Sequence, residues 1–308
     1  GIMPSSLSIL NCSLNNDNKK MFLLILVASI LYHTNNVSSS QPMEGRYSFS
    51  LTTFNPDGKL PQLSHAVKAT SLGPPVLAIS MHQVKNHTSN SSSNTVAFTS
   101  LQTLPSPLMK DDGTPRFVRI TNNIAMGHTG IGGDGRIVCH AAQRLAMEHE
   151  YTFDEEIPIN ILLEEMGMLF QEYTMKVGAR PFGCSLVVAY LGNTLDLKQE
   201  DEKEAMEQNG KTESKLYTID PSGCVTYHSD GVVYLGRGER DTLLRKLRQE
   251  KKEGHFDSVE KVQETIRNFF IHEDTKNQKN PSSFSLTFVD GIFTRDDFSI
   301  HRTILSQT

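Results

Sequence analysis

The chain predicts a layered α+β domain, on three observations. Strand-like runs come in groups, pairs of helical patterns separate those groups, and the apolar residues of each helical pattern fall on one face. A doubly wound parallel sheet would instead alternate single strands with single helices. Helix pairs packed outside two sets of strands give a sandwich.

The elements follow in order. Asn55-Pro56-Asp57-Gly58 is a turn, because proline presets the backbone and glycine accepts the conformation that closes it. Gln62 to Thr70 is a short amphipathic segment. β-branched and aromatic runs predict strands at Val76 to Ser80, Thr95 to Leu101, Phe117 to Ile120 and Ile124 to His128. His82 to Asn94, rich in Ser and Asn, is expected to be a mobile loop between the first two. Helical spacing then runs through Ile137, Val138, Ala141, Ala142, Leu145 and Ala146. A second stripe is Ile159, Leu162, Leu163, Met166, Leu169, Phe170 and Tyr173, opened by Pro158, where a missing N–H costs nothing. Strands return at Ser185 to Leu191, Leu216 to Ile219 and Val225 to His228, with Asp220-Pro221-Ser222-Gly223 as the turn between the last two. The acidic stretch Asp196 to Ser214 is expected to be a solvated hairpin insertion. Helices at Arg240 to Lys252 and Ser258 to Phe270 and a final strand at Phe284 to Val289 complete the pattern.

With 308 residues, 37% hydrophobic and 21% charged, the chain can bury one substantial core or two small ones. A net charge of -5 and a pI near 6.1, with no basic stripe, argue against a nucleic-acid surface. Cys12, Cys139, Cys184 and Cys224 are too sparse for a disulfide framework and form no CxxC, so reduced thiols are expected. His140 and His149 lack the i,i+4 spacing of a helical metal pair. No metal and no cofactor are expected.

Residues 1–46 read as a signal-like or disordered extension ahead of a domain spanning 47–308. Lys19 and Lys20 precede an apolar run from Phe22 to Tyr32, too short to span a bilayer but suited to the core of a signal peptide starting at Met21. No A-x-A cleavage site follows it. Sequons at Asn36, Asn86 and Asn90 matter only if that segment directs secretion.

Several segments together resemble the proteasome α-subunit family. Tyr47 through Leu60, with Gln62 and Ala66, is similar to its N-terminal signature of a Tyr, a Phe-Ser-Pro-x-Gly-basic-Leu turn and a short helix. Gly130, Asp134 and Arg136 match its Gly-x-x-x-Asp-x-Arg pattern between strand and helix. Gln171 to Thr174, followed by Gly178-Ala179-Arg180-Pro181-Phe182-Gly183, resembles the end of its second helix and the strand entry. Leu216 to Gly223, ending in Asp220, Pro221, Ser222 and Gly223, matches its Tyr-x-x-Asp-Pro-Ser-Gly turn. The matches keep the family's order from Tyr47 onward, and the Gln-Glu-Tyr-Thr and Ala-Arg-Pro-Phe-Gly pieces look closest to the second of the seven eukaryotic α types.

The resemblance implies a four-layer α-β-β-α sandwich of the N-terminal-nucleophile hydrolase type. It implies partners too: other α and β subunits in stacked seven-membered rings, and regulatory particles or activators on the α ring. It places the chain in cytoplasm and nucleus, with the segment at Met21 offering a secretory or organelle route instead, and no membrane in the mature chain. The implied role is non-catalytic, in ring assembly, gating and ubiquitin-dependent degradation. A catalytic β type needs a threonine exposed after Gly, whose free amine activates its hydroxyl. Gly113-Thr114 is followed by Pro115 and lies between strands, so it does not qualify.

Tyr47 and Pro56 match gate-ordering positions of the family, with Gly58 completing the turn. Ser48 replaces an Asp common there, and Ser64 and His65 stand in place of Glu-Tyr. Pro107 stands where activator pockets use a Lys to pair with a C-terminal carboxylate. Arg180-Pro181 and Asp220 to Gly223 also read simply as residues that set turns and helix–sheet packing. Two alternatives remain: a relocated or degenerate α-like paralogue in an organelle, and a stand-alone N-terminal-nucleophile amidohydrolase.

Overall fold

Two antiparallel sheets lie face to face, each covered on its outer side by a pair of helices. The computed structural model describes residues 53–85, 92–103, 115–176, 178–193, 212–238, 240–252, 258–277 and 285–306, within a compact unit running from Ser50 to Thr308. Along the chain come α1 (Pro61–Ser71), β1 (Val76–Lys85), β2 (Ser92–Thr103), β3 (Phe117–Arg119), β4 (Ile124–Gly130), α2 (Gly132–Phe153) and α3 (Ile159–Met175). They are followed by β5 (Cys184–Asn193), β6 (Thr212–Ile219), β7 (Val225–His228), β8 (Val232–Leu235), α4 (Arg240–Lys252), α5 (Val259–Asn277), β9 (Ser285–Phe293) and β10 (Phe298–Ser306). Among the described residues the first sheet is ordered β10-β9-β2-β1-β8 and the second β3-β4-β5-β6-β7.

The two-residue period of a strand explains the four layers. Both faces of each sheet are covered, so successive residues must satisfy different apolar environments. On β1, Leu77, Ile79 and Met81 join the side chains of α4 and α5, including Leu247, Val262 and Phe270. Their neighbours Val76 and Ala78 turn inward to the second sheet. On β5, Leu186, Val188 and Tyr190 meet α2 and α3, while Val187, Ala189 and Leu191 turn inward. The inner layer is closed by Phe98 against Phe117, ring centroids 5.0 Å apart, and by Phe293. The expected α-β-β-α sandwich is therefore the architecture observed.

The predicted helices hold, with α2 and α5 longer than the apolar stripes alone indicated: α2 begins at Gly132 and ends on Asp154 in the left-handed conformation, φ 57°. The sheets required more correction. The expected loop over 82–94 is in part a hairpin: Val84 pairs with Ser93 and Lys85 with Ser92 beyond a register shift. Backbone pairing there needs no apolar side chains, so a polar composition hid it. Thr212 to Ser214, assigned to the acidic insertion, pair with Asn193 to Leu191 as the start of β6. The remainder of that insertion and residues 86–91 lie outside the described residues. Strands β8 and β10 were not expected. β8 is only four residues long, and β10 is an edge strand of mixed polar and apolar residues paired on one side to β9.

Lys251, near the end of α4, ties that helix to the turn before β8. Its Nζ donates to Ser80 Oγ at 3.0 Å, Asp230 O at 2.9 Å and Gly231 O at 3.2 Å, and Arg248 pairs with the Asp230 carboxylate. Burial pulls the Lys251 pKa down to about 8, against the Asp230 charge.

Phe98 is fully buried, whereas Tyr151 on α2 is 93% exposed. Phe98→Ala should cost about 3–5 kcal/mol of stability and Tyr151→Ala within roughly 0.5 kcal/mol. Chemical unfolding of the two variants checks this; equal losses would contradict the placement of the inner layer.

Candidate functional site

Gly130, Asp134, Arg180, Pro181 and Gly183, all family-matching positions, converge at one end of the sandwich, where β1 and β5 begin and β4 ends. Gly130 pairs with Cys184, and the chain then turns sharply from β4 into α2. Gly130 has φ +94°, and a Cβ there would overlap the carbonyl oxygen of Gly183, so the turn excludes larger residues. Ile131 N–H donates to that carbonyl at 2.9 Å, fastening the head of α2 to the segment entering β5.

Asp134 completes the fastening from the first turn of α2, where the helix dipole favours a carboxylate. Arg180 grips it with both arms of its guanidinium, Nη1 to Oδ2 at 2.6 Å and Nη2 to Oδ1 at 2.8 Å. Gly183 N–H donates to Oδ2 at 2.9 Å, and Arg180 Nη1 also reaches Pro181 O at 3.1 Å. Burial by itself pushes the Asp134 carboxyl up. The hydrogen bonds from Arg180 and Gly183, with the Arg180 charge, outweigh burial and hold it below its ordinary value. Gly130, Asp134, Arg180, Pro181 and Gly183 thus form one unit, and Arg136 does not join it: it is exposed two residues beyond Asp134.

The same end receives α1. This helix opens on Pro61, buries Ala66 and Thr70, and packs against β4 and β5. Its exit through Gly73-Pro74-Pro75 is held by Thr129 Oγ1 donating to Pro74 O at 2.5 Å and by Arg237 N–H donating to Gly73 O at 3.0 Å. Tyr234, fully buried, hydrogen-bonds the Arg237 carbonyl. The residue heading β1 is Val76, buried and preceded by two prolines.

Upstream, Pro56 lies in the expected turn, where Gly58 N–H donates to Asn55 O at 2.9 Å and Lys59 N–H to Asn55 Oδ1 at 2.7 Å. Gln62 is half-buried in the first turn of α1, and Ser64 and His65 are exposed on the same helix. Ser64 Oγ donates back to Leu60 O at 3.2 Å. Tyr47, Ser48 and Pro107 lie outside the described residues. Asp220, Pro221, Ser222 and Gly223 form a closed turn in which Asp220 Oδ1 accepts from Ser222 N–H at 2.9 Å and Cys224 N–H at 3.1 Å. Gly223, at φ +85°, sits against the backbone of Gly167 and Gln171 on α3, where a side chain would not fit. That turn docks β6–β7 on α3.

His128 was not singled out in the sequence, yet it lies beneath the head of α2 with 1% exposure. A Cβ at position 135 would overlap its ring. Its Nδ1 is 3.8 Å from Cys139 Sγ. Burial, then the charges of Arg116 and Arg136, bring its pKa down to about 4, so the imidazole is neutral. Burial pushes the Cys139 thiol up to about 12, and the Cys184 thiol is raised as well, by burial and then by the Asp134 and Cys139 charges. Thiols so placed are poor nucleophiles. A polar residue closing an otherwise apolar strand was the only sequence signal for His128. The chemistry of this end is fastening: a paired ionised carboxylate, a neutral imidazole and unreactive thiols, all beneath α1 and the head of α2.

Two outcomes follow from these charge states. His128 resists protonation when folded, so the unfolded chain binds more protons between pH 6.5 and about 4. Its contribution is present above pH 6.5 and is lost as pH falls through that window, by about 3 kcal/mol. Unfolding midpoints measured across that range should show the loss, and His128→Gln should flatten it. Asp134 has the depressed carboxyl pKa, so its contribution is present above the ordinary carboxyl value and fades as pH falls below it. Asp134→Ala should cost about 1–3 kcal/mol, since its partner Arg180 can rehydrate. Arg180→Lys, which keeps the charge but not the fork, should lose part of this.

Comparison with known proteins agrees with the architecture. A family model described as "Proteasome subunit" matches residues 91–197. The chain is 38% identical over 143 residues to proteasome subunit alpha type-2 of Drosophila melanogaster, a match covering 46% of this chain and 56% of the fly protein. It is 32% identical over 180 residues to the alpha type-2 subunit of Oryza sativa subsp. indica, covering 58% of this chain and 64% of the rice protein. It is 30% identical over 201 residues to that of Trypanosoma brucei brucei, covering 65% of this chain and 74% of the relative. The matched stretch thus spans little more than half of the fly protein and under two thirds of the rice protein. With the trypanosome match extending over nearly three quarters of its relative, and with the sandwich in place, the chain belongs to the proteasome subunit family, among its α-type members.

Proposed function

We propose that the chain is a non-catalytic α-ring subunit of a 20S proteasome core, acting in protein degradation through assembly and control of access. The observation that carries the non-catalytic part is the unbroken passage of α1 through Gly73-Pro74-Pro75 into β1. An N-terminal nucleophile needs a Thr, Ser or Cys with a free amine at the head of its strand. Here that place is taken by a buried Val76 behind two prolines, with α1 fastened over the same end.

Support for assembly comes from the outer helices. On α2, Ile137, Met147 and Tyr151 are 60%, 62% and 93% exposed. On α3, Ile161, Met168 and Met175 recur every seven residues on the exposed side, at 41%, 47% and 58%. Apolar side chains aligned in this way are what subunit contacts cover. The partners in this reading are other α and β subunits in seven-membered rings, with regulators on the outer face, in cytoplasm and nucleus. Pro56 and Gly58 would orient the preceding tail at the gate.

Affinity purification of the tagged full chain from its own cells, with native mass determination and identification of partners, tests the proposal. Recovery in a particle of proteasome size with α and β subunits, whose compartment then locates the chain, is expected. Recovery as a free monomer overturns the ring reading and favours a relocated or degenerate paralogue. A peptide epoxyketone, which captures N-terminal threonines, should label the β subunits of that particle and leave this chain unmodified. Labelling of this chain would overturn the non-catalytic reading.

A further inference from the structure

The helical layer over the first sheet contains a polar group of atoms that the family role does not use. Asp290 on β9 is 1% exposed, and Arg267 of α5 spends its contacts on one carboxylate oxygen, Oδ2, with Nε at 3.0 Å and Nη2 beside it. The other oxygen, Oδ1, has no hydrogen-bond partner among the described residues. Gln263 lies one helical turn before Arg267, is 5% exposed, and its Nε2 is likewise unpartnered. Thr99 stands opposite Asp290 in the β2–β9 register, is fully buried, and its Oγ1 has no partner.

These atoms belong to one place. Along β2, Ala97 and Leu101 face α4 and α5, so Thr99 between them faces the same way. Paired residues on adjacent strands keep their side chains side by side, which puts Thr99 next to Asp290. Residues four apart on a helix share a face, so Gln263 lies on the side of α5 from which Arg267 reaches the carboxylate. The buried packing face of α5 otherwise includes Val259, Val262, Ile266 and Phe270.

We propose that one ordered water molecule is built into this layer, donating to Asp290 Oδ1, accepting from Gln263 Nε2, and bonding the Thr99 hydroxyl. The site requires a ligand that both donates and accepts. A cation would face the amide hydrogens of Gln263 and the charge of Arg267, and an anion would face Asp290. Water meets all three atoms at once, within the two to four polar partners typical of a buried water. Leaving a charged acceptor and two neutral polar groups dry costs more than immobilising one water. The water joins α5 to β2 and β9 through a contact that does not depend on apolar packing.

High-resolution density of the full chain, in whatever assembly it purifies, tests the site together with the variants Thr99→Val and Gln263→Leu. A discrete peak within hydrogen-bonding distance of all three atoms is expected. It should weaken or vanish in each variant, and the amides of α5 should then exchange with solvent faster, by about tenfold. Density showing the three side chains bonded directly to one another overturns the proposal. So does a peak that persists unchanged in both variants, or an α5 exchange rate that neither variant alters.

Discussion

Burying both faces of both sheets is the constraint on which this structure depends. A strand covered on one side can alternate apolar and polar residues, but β1, β2, β5 and β9 must be apolar or neutral at nearly every position. The alternation survives in a subtler form, in which odd and even residues serve different layers. Phe98, Phe117 and Phe293 fill the space between the sheets, and Ile79, Leu186 and Phe288 fill the spaces beneath the helices. Polar groups are thereby driven toward the ends of the strands, and those that stay inside are costly unless they find a partner.

That displacement explains why the fastening residues cluster where β4 ends and β5 begins. The chain there reverses from strand to helix and from helix to strand within a few residues, leaving backbone groups that cannot join a sheet ladder. Asp134 accepts from one of them, the Gly183 N–H, while Arg180 neutralises the carboxylate at the cost of little desolvation of its own. The ion pair is partly exposed, so its net contribution to stability is modest. Its geometric effect is larger, because the fork fixes the angle between α2 and the strand entry. The close passage of Gly73 past Gly130 then sets α1 against the same end.

The two acids buried among the described residues are handled differently. Asp134 is met on both oxygens by donors from its own end of the domain. Asp290 is met on one, by Arg267, within a mostly apolar layer. The first fastens a junction between elements. The second sits under the middle of a helix, where a single cation cannot satisfy it and a bridging ligand can.

Much of the architecture was legible in the residues. Apolar spacing located α2 to α5 and marked α1 as an amphipathic segment, because a helix carries its signal in its own 3.6-residue period. The turns at Asn55 and Asp220 were equally local, set by proline and by glycine. Family-matching motifs named Gly130, Asp134, Arg180 and Gly183, but not that a carboxylate and a guanidinium 46 residues apart share two hydrogen bonds. Strands β8 and β10, the continuation of β1 into a polar hairpin and the start of β6 within acidic sequence were not legible. The Val-Val-Tyr-Leu run of β8 was too short to stand out, and the others depend on pairing with distant strands more than on their own composition. For the same reason His128 read as the polar end of a strand, until the approach of Gly135 showed what covers it. The sequence by itself determined the helices, the turns and the residues of the junction. Only the tertiary structure decided which strands pair, which side chains lose their water and which charges meet, because those depend on contacts between segments far apart in the chain.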